Sequence, residues 1–175
     1  RAQNATTIVI GGTNFSPTPA NNTVAFALGA VGNVTAATAT QLTVTFTTNP
    51  TSLGALTAVV TANGGSSGAP TTVGFIVASP TVTVNNTNLA QNAPTINIAG
   101  TGFATVIASD SVVFNLGAVG NVTAATTTQL TVTFTTNPTS LGALTAVVTA
   151  NGGNSGASTT VGFIVASPTV TVNNT

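Results

Sequence analysis

Only two side chains in this sequence carry charge, Arg1 and Asp110, and there is no His, Cys, Met, Trp or Tyr. General acid–base catalysis needs titratable groups within hydrogen-bond reach of one another or of substrate, and here one carboxylate has no imidazole, amine or thiol to work with. The many Ser and Thr hydroxyls lack a base that would make them nucleophiles. Zinc and copper sites need His or Cys. A calcium site built from Asp110 and Asn side chains is conceivable, but hard cations favour several carboxylates, so Asp110 reads as a loop residue. The expectation is a protein that is not an enzyme and holds no metal or cofactor. Phosphate binding without cations lacks its main energetic term, which argues against nucleic acid as a partner. Gly11-Gly12 and Gly64-Gly65 are followed by no Lys and no helical pattern, so they read as turn glycines. The remaining chemistry is modification. The acceptor pattern N-x-[ST] occurs at Asn4, Asn14, Asn21, Asn33, Asn85, Asn121 and Asn173. Either these Asn residues carry glycans, which implies secretion, or a Thr- and Asn-rich chain makes such triplets by chance.

Composition narrows the setting. Charged residues make up 1% of the 175, against about 25% in an ordinary domain. Net charge near zero promotes association, so such a chain belongs in an assembly, or under a polar coat such as glycan, or both. With 42% hydrophobic residues it is far from the signature of disorder. Thr, Asn and Gly interrupt every apolar run well before the ~20 residues of a spanning helix, so membrane insertion is not expected. The chain opens on Arg1 without Met or a secretory leader, which reads as a mature terminus or the edge of a fragment.

The elements that position these residues are repeated. Setting residue i against residue i+88 aligns the chain with itself without a gap, from Arg1/Leu89 to Thr87/Thr175. Differences crowd into the first 27 positions; from Leu28 on, only Ala39/Thr127, Ser66/Asn154 and Pro70/Ser158 change. The run Ser79–Thr87, SPTVTVNNT, recurs letter for letter as Ser167–Thr175. Its first copy leads into a second unit; its second copy ends the sequence. The first unit begins at Arg1, one step past where that run would stand.

Within each unit the hydrophobic period is two, which means strands. In the second unit these are A (Thr81–Asn85; Val82 and Val84 inward), B (Thr95–Ala99; Ile96 and Ile98 inward) and C (Ser111–Gly117; Val112, Phe114 and Leu116 inward). A short strand follows near Gly120–Ala125, then Gln129–Thr135 with Leu130, Val132 and Phe134 alternating with Thr. Leu144–Ala150 ends at the hairpin signal Asn151-Gly152, and strand G is Thr159–Val165 with Val161, Phe163 and Val165 inward. The Phe residues all fall at positions assigned to the core. The pairs Val9/Asn97, Ala25/Val113 and Ala27/Asn115 change polarity or size, and each lies at a position assigned outward. About seven short strands per unit, with turn signals every ~8–12 residues, predict an all-β chain of two sandwiches. No segment shows a helical period.

At P-T-V-T-V, at T-I-N-I-A-G-T-G-F (Thr95–Phe103; T-I-V-I-G-G-T-N-F at Thr7–Phe15), at V-V-F, at A-T-T-T-Q-L-T-V-T-F and at the closing V-G-F-I-V, both units resemble the IPT/TIG immunoglobulin-like domain. The resemblance implies an early-set Ig-like sandwich in each unit. Such domains occur in receptors, transcription factors and bacterial surface proteins, so the fold does not fix a role. The DNA-binding members carry Arg and Lys on loops where this chain has none, and the Lys–Asn isopeptide bonds of bacterial surface domains are excluded for want of Lys.

The expectation is therefore mechanical: domain 1 (residues 1–78) lacks its own strand A, domain 2 (79–166) has strands A to G, and 167–175 is a spare strand A. Residues Thr169, Val170, Thr171, Val172 and Asn173 of one subunit would enter a groove formed by Ile8, Ile10, Val73, Phe75 and Val77 of the next. Strand addition of this kind is a recognised binding mode, and a head-to-tail contact that does not close makes a filament. The predicted protein is an extracellular or cell-surface homopolymer, a pilus-like fibre. The alternatives are a piece of a covalently continuous repeat adhesin or stalk, and a ligand-binding adhesin module whose binding loop would be Ser16–Thr23 or Ala104–Ser111. If the seven strands alternate in direction, Arg1 and Asp110 lie at the junction between the domains, either as two unrelated surface charges or as a pair across it.

Overall fold

The structure, a computed structural model, describes residues 1–172. The chain divides into two compact units at Ser79/Pro80, with Asn151–Gly153 grouped with the first. In unit 1 the strands are β1 (Thr7–Gly11), β2 (Asn22–Phe26), β3 (Val31–Ala37), β4 (Gln41–Thr48), β5 (Gly54–Ala62), β6 (Gly65–Ser66) and β7 (Thr71–Ile76). One sheet has the order β1-β4-β3; in the other, β5 pairs with β2, β6 and β7. Unit 2 repeats this arrangement and adds to it. Its strands are β8 (Thr81–Val82), β9 (Asn88–Ala90), β10 (Thr95–Thr101), β11 (Asp110–Phe114), β12 (Val119–Ala125), β13 (Gln129–Thr136), β14 (Gly142–Ala150), β15 (Gly153–Asn154) and β16 (Thr159–Val165). One sheet runs β12-β13-β10-β8 and the other β11-β14-β16-β9. Apart from single 3₁₀ turns at Pro19–Asn21 and Ile107–Ser109, the described residues form strands and connections.

The alternation of β4 and β13 sets the two faces. Leu42 and Val44, like Leu130 and Val132, are fully buried between the sheets, while Thr43 and Thr131 face away from the core. Each unit closes its own core. In unit 1 Ile8, Ile10, Leu42, Val44, Leu56 and Ile76 cluster with Phe26 and Phe46 against them. In unit 2 the same set recurs as Ile96, Ile98, Leu130, Val132, Leu144 and Ile164 with Phe114 and Phe134. The Phe pairs sit 5.4 and 5.5 Å apart in tilted contact, within the range where edge-inclined rings attract. Burying each such aliphatic side chain contributes about 1.5–3 kcal/mol. The β5–β6 hairpin turns through Asn63 (φ 50) and Gly64 (φ 83), the left-handed pair that Asn-Gly favours.

Strand G departs from the expected phase in both units. Val161 and Ile164 are buried, whereas Phe163 and Val165 are 38% and 36% exposed; in unit 1 Phe75 and Val77 are 66% and 41% exposed. The cause is a bulge. Leu144 faces Gly162 but Thr145 faces Thr160, so Val161 is passed over; Leu56, Gly74, Thr57 and Thr72 do the same around Val73. One extra residue inverts every side chain beyond it. The Phe at this position in each unit is therefore an outward residue and not a core one.

Strand A also departs from its expected faces. Only Val82 packs on the core; Val84 is 60% exposed. The chain pairs first with β10, through Thr81↔Thr101 and Val82↔Gly100, and Thr83 N donates to Ala99 O at 2.8 Å. It then crosses to the other sheet, where Asn85 N donates to Thr160 O at 2.9 Å and β9 runs parallel to β16. A strand that changes sheets loses its alternation at the crossing.

Candidate functional site

The site that the repeat defines is the face where strand A lies. In unit 2 this face is covered. Phe103, Val148 and Val161 are 3%, 0% and 1% exposed beneath the segment that starts at Pro80, and Phe163 N donates to Thr87 O at 2.9 Å. In unit 1 the same face is an open groove of about 520 Å³, lined among others by Ile10, Gly12, Phe15, Ala58, Val60 and Val73. Phe15 and Val73, the counterparts of Phe103 and Val161, are half-buried there. Among the described residues nothing stands in unit 1 at the place that Thr81–Thr87 takes in unit 2. Only the last step of that path is present: Arg1 N donates to Phe75 O at 2.7 Å, Val77 N to Arg1 O at 2.9 Å, Gln3 N to Val77 O at 2.8 Å, and Ala2 bridges Val77 in parallel, as Ala90 pairs with Val165.

Of the five residues expected to form an acceptor groove, Ile10 and Val73 line it, and Ile8 lies in the core beneath, 3% exposed. Phe75 and Val77 point away from it for the reason given above. Sequence reasoning missed Gly12, Phe15, Ala58 and Val60; the identical pairs Gly12/Gly100 and Phe15/Phe103 were visible, but not that they face strand A. A Cβ built on Gly100 would collide with the Thr81 carbonyl and the Phe103 ring, so this glycine permits the close backbone approach. Of the expected donor residues, Val170 and Val172 are 97% and 84% exposed, with Thr169 and Thr171 exposed beside them. Asn173 lies outside the described residues.

The pair Asn22/Asp110 is a second local site, at the start of β2 and β11. Both are buried. Asn22 accepts from Ser16 N at 3.0 Å and donates through Nδ2 to Ser16 O at 2.8 Å and Thr18 O at 3.0 Å, which fixes the Ser16–Thr23 loop. Asp110 Oδ1 accepts from Ala104 N at 3.0 Å. Its other oxygen is buried with no hydrogen-bond partner. Burial pushes this carboxyl above its ordinary value of 3.8, partly offset by the Ala104 hydrogen bond. The hydrogen bond that this carboxylate accepts comes from its own loop.

The acceptor asparagines are scattered. Asn14 is exposed in left-handed backbone (φ 59), Asn21 ends a 3₁₀ turn, and Asn33 and Asn121 are exposed on β3 and β12. Asn85 is half-buried with Oδ1 accepting from Thr87 N, and Asn4 is half-buried with its backbone N on Ser79 Oγ. Asn173 is again outside the described residues.

Strand order, antiparallel pairing and core define each unit as an Ig-like β-sandwich, two in tandem. No family model matches the sequence, and no curated protein does. Among solved structures the chain is similar to a three-Ig fragment of titin, domains I67–I69, at 11% identity, with 96% of this chain and 62% of that one covered and a TM-score of 0.36. It is also similar to domains 5–6 of the S-layer protein SbsC (12% identity, 94% and 82% covered, TM-score 0.35). A third is a Bacteroides ovatus glucan-utilisation protein, SGBP-B, in complex with a mixed-linkage heptasaccharide (18%, 95% and 42%, TM-score 0.36). Among the described residues no helix is long and apolar enough to cross a membrane.

Proposed function

We propose that this chain is a non-enzymatic structural module of an extracellular or cell-surface assembly, built from IPT/TIG-type Ig-like units that are joined by strand complementation. One observation carries the reading: unit 1 has an open groove whose counterpart in unit 2 is covered by SPTVTVNNT, and a second copy of that run is exposed at 168–172. The near absence of charge fits a surface that is mostly buried against neighbours or coated.

Energetics bound the strength of the joint. Val170 would contribute about 1.5–3 kcal/mol and a handful of backbone hydrogen bonds about 0.5–1.5 kcal/mol each, against an association cost of about 4–15 kcal/mol. Val172, at the position of the exposed Val84, adds little. A free strand therefore binds weakly, and the joint gains most from high effective concentration, as in a fibre or a covalent array. Sedimentation of the full chain over a wide concentration range tests this. Concentration-dependent growth that Val170→Asp abolishes is the expected result; identical monomer sedimentation of both proteins at millimolar concentration contradicts it.

A further inference from the structure

Resting on the reading of the groove as a strand acceptor, we propose that its occupant is the segment Ser167–Thr175 of a second copy, held through Pro168 and Val170, with Val172 facing solvent. The floor of the groove is the same in both units: Ile10/Ile98, Phe15/Phe103, Val60/Val148 and Val73/Val161 are identical pairs. The strand that covers it in unit 2 is identical to the proposed occupant, so the register follows position by position.

Pro80 is fully buried, Val82 packs against the core and Val84 is 60% exposed. Their counterparts Pro168, Val170 and Val172 are all exposed, Val170 at 97% and Val172 at 84%. Docking would thus bury the first two of these apolar side chains and leave the third in water, which the plain alternation of P-T-V-T-V does not anticipate. Backbone equivalence names the receiving groups. Gly11 O, Thr72 O and Phe75 N stand where Ala99 O, Thr160 O and Phe163 N bond strand A in unit 2. Gly12 keeps open the approach that Gly100 gives to the Thr81 carbonyl. The crossing between sheets explains why an outward Val172 is compatible with a bound strand.

The acceptor for the test is the full chain carrying Val170→Asp, a change at a 97% exposed position that blocks its own C-terminal run from docking and spares the fold. The probe is a fluorescent nine-residue peptide, SPTVTVNNT. The wild-type peptide is expected to bind and to slow amide exchange at Phe75 without changing β11. Peptides with Pro168→Asp or Val170→Asp are expected to bind at least about tenfold more weakly, as loss of one buried aliphatic anchor implies, and a Val172→Asp peptide within about threefold of wild type. Equal weakening by Val170→Asp and Val172→Asp overturns the register while leaving the groove an acceptor. No binding by the wild-type peptide overturns the acceptor reading itself.

Discussion

Replacing Asp110 by Asn should stabilise unit 2 at neutral pH. The two units carry the alternatives side by side. Asn22 makes three hydrogen bonds to the Ser16–Thr18 loop, while Asp110 makes one to Ala104 and buries Oδ2 without a partner. By equivalence with unit 1, Oδ2 takes the place of the Asn22 Nδ2, where the corresponding loop carbonyls would accept from a donor and repel a carboxylate. Asp110→Asn supplies two donors there, each worth about 0.5–1.5 kcal/mol, and removes a buried charge. The expected gain is about 1–3 kcal/mol, or roughly 4–8 °C per kcal/mol for a unit of this size. The pH dependence checks the cause. Because the folded carboxyl titrates above 3.8, the folded state binds the proton more tightly than the unfolded one. The penalty of the ionised form is thus fully present above the folded value and disappears as pH falls below 3.8. Below that point protonated Oδ2 can itself donate to a loop carbonyl. Urea denaturation of both proteins at pH 7 and pH 3 should show an advantage for the variant that shrinks on acidification. A variant no more stable at pH 7, or an advantage of equal size at both pH values, would show that the buried carboxylate carries no such penalty.

Three further outcomes follow from the same structure. The wild-type melting temperature should stay nearly level from pH 7 to pH 3: the one side-chain carboxyl favours its protonated form when folded, while burial of the Arg1 amine disfavours its charged form and acts the other way below 8.0; a collapse of the thermal transition over that range in a calorimetric scan contradicts it. Gly120→Ala would place a Cβ 2.7 Å from Val132 Cγ1 and 3.0 Å from Thr133 O, and should destabilise unit 2 by about 1–3 kcal/mol in urea titration. Leu144→Ala, at a fully buried position, should cost about 2–5 kcal/mol, while leaving hydrogen exchange in β4 and β5 unchanged if the two cores are independent.

What the sequence made legible was whatever repeats at period two. The alternation of Leu130, Val132 and Phe134 with Thr gave the face of β13 directly, and the outward pairs Val9/Asn97 and Ala25/Val113 are indeed exposed. The bulge at Val73 and Val161 was not legible, because T-V-G-F-I-V keeps its apolar residues whichever way the phase runs, and plain alternation points Phe75 and Val77 to a groove they face away from. The crossing of strand A between sheets hid in the same way, since V-T-V looks like one continuous face. Asn22 carried no pattern at all: its role in holding the loop appears only once Ser16 and Thr18 are beside it.

If the open face of unit 1 is built for the strand that covers unit 2, fusing SPTVTVNNTN ahead of Arg1 will change both amide exchange at Phe75 and the thermal stability of unit 1. Phe75 should become as protected as Phe163, unit 1 should gain stability, and the fused chain should no longer bind the free peptide. Unchanged exchange at Phe75 and an unchanged transition in the fused chain would contradict the acceptor reading.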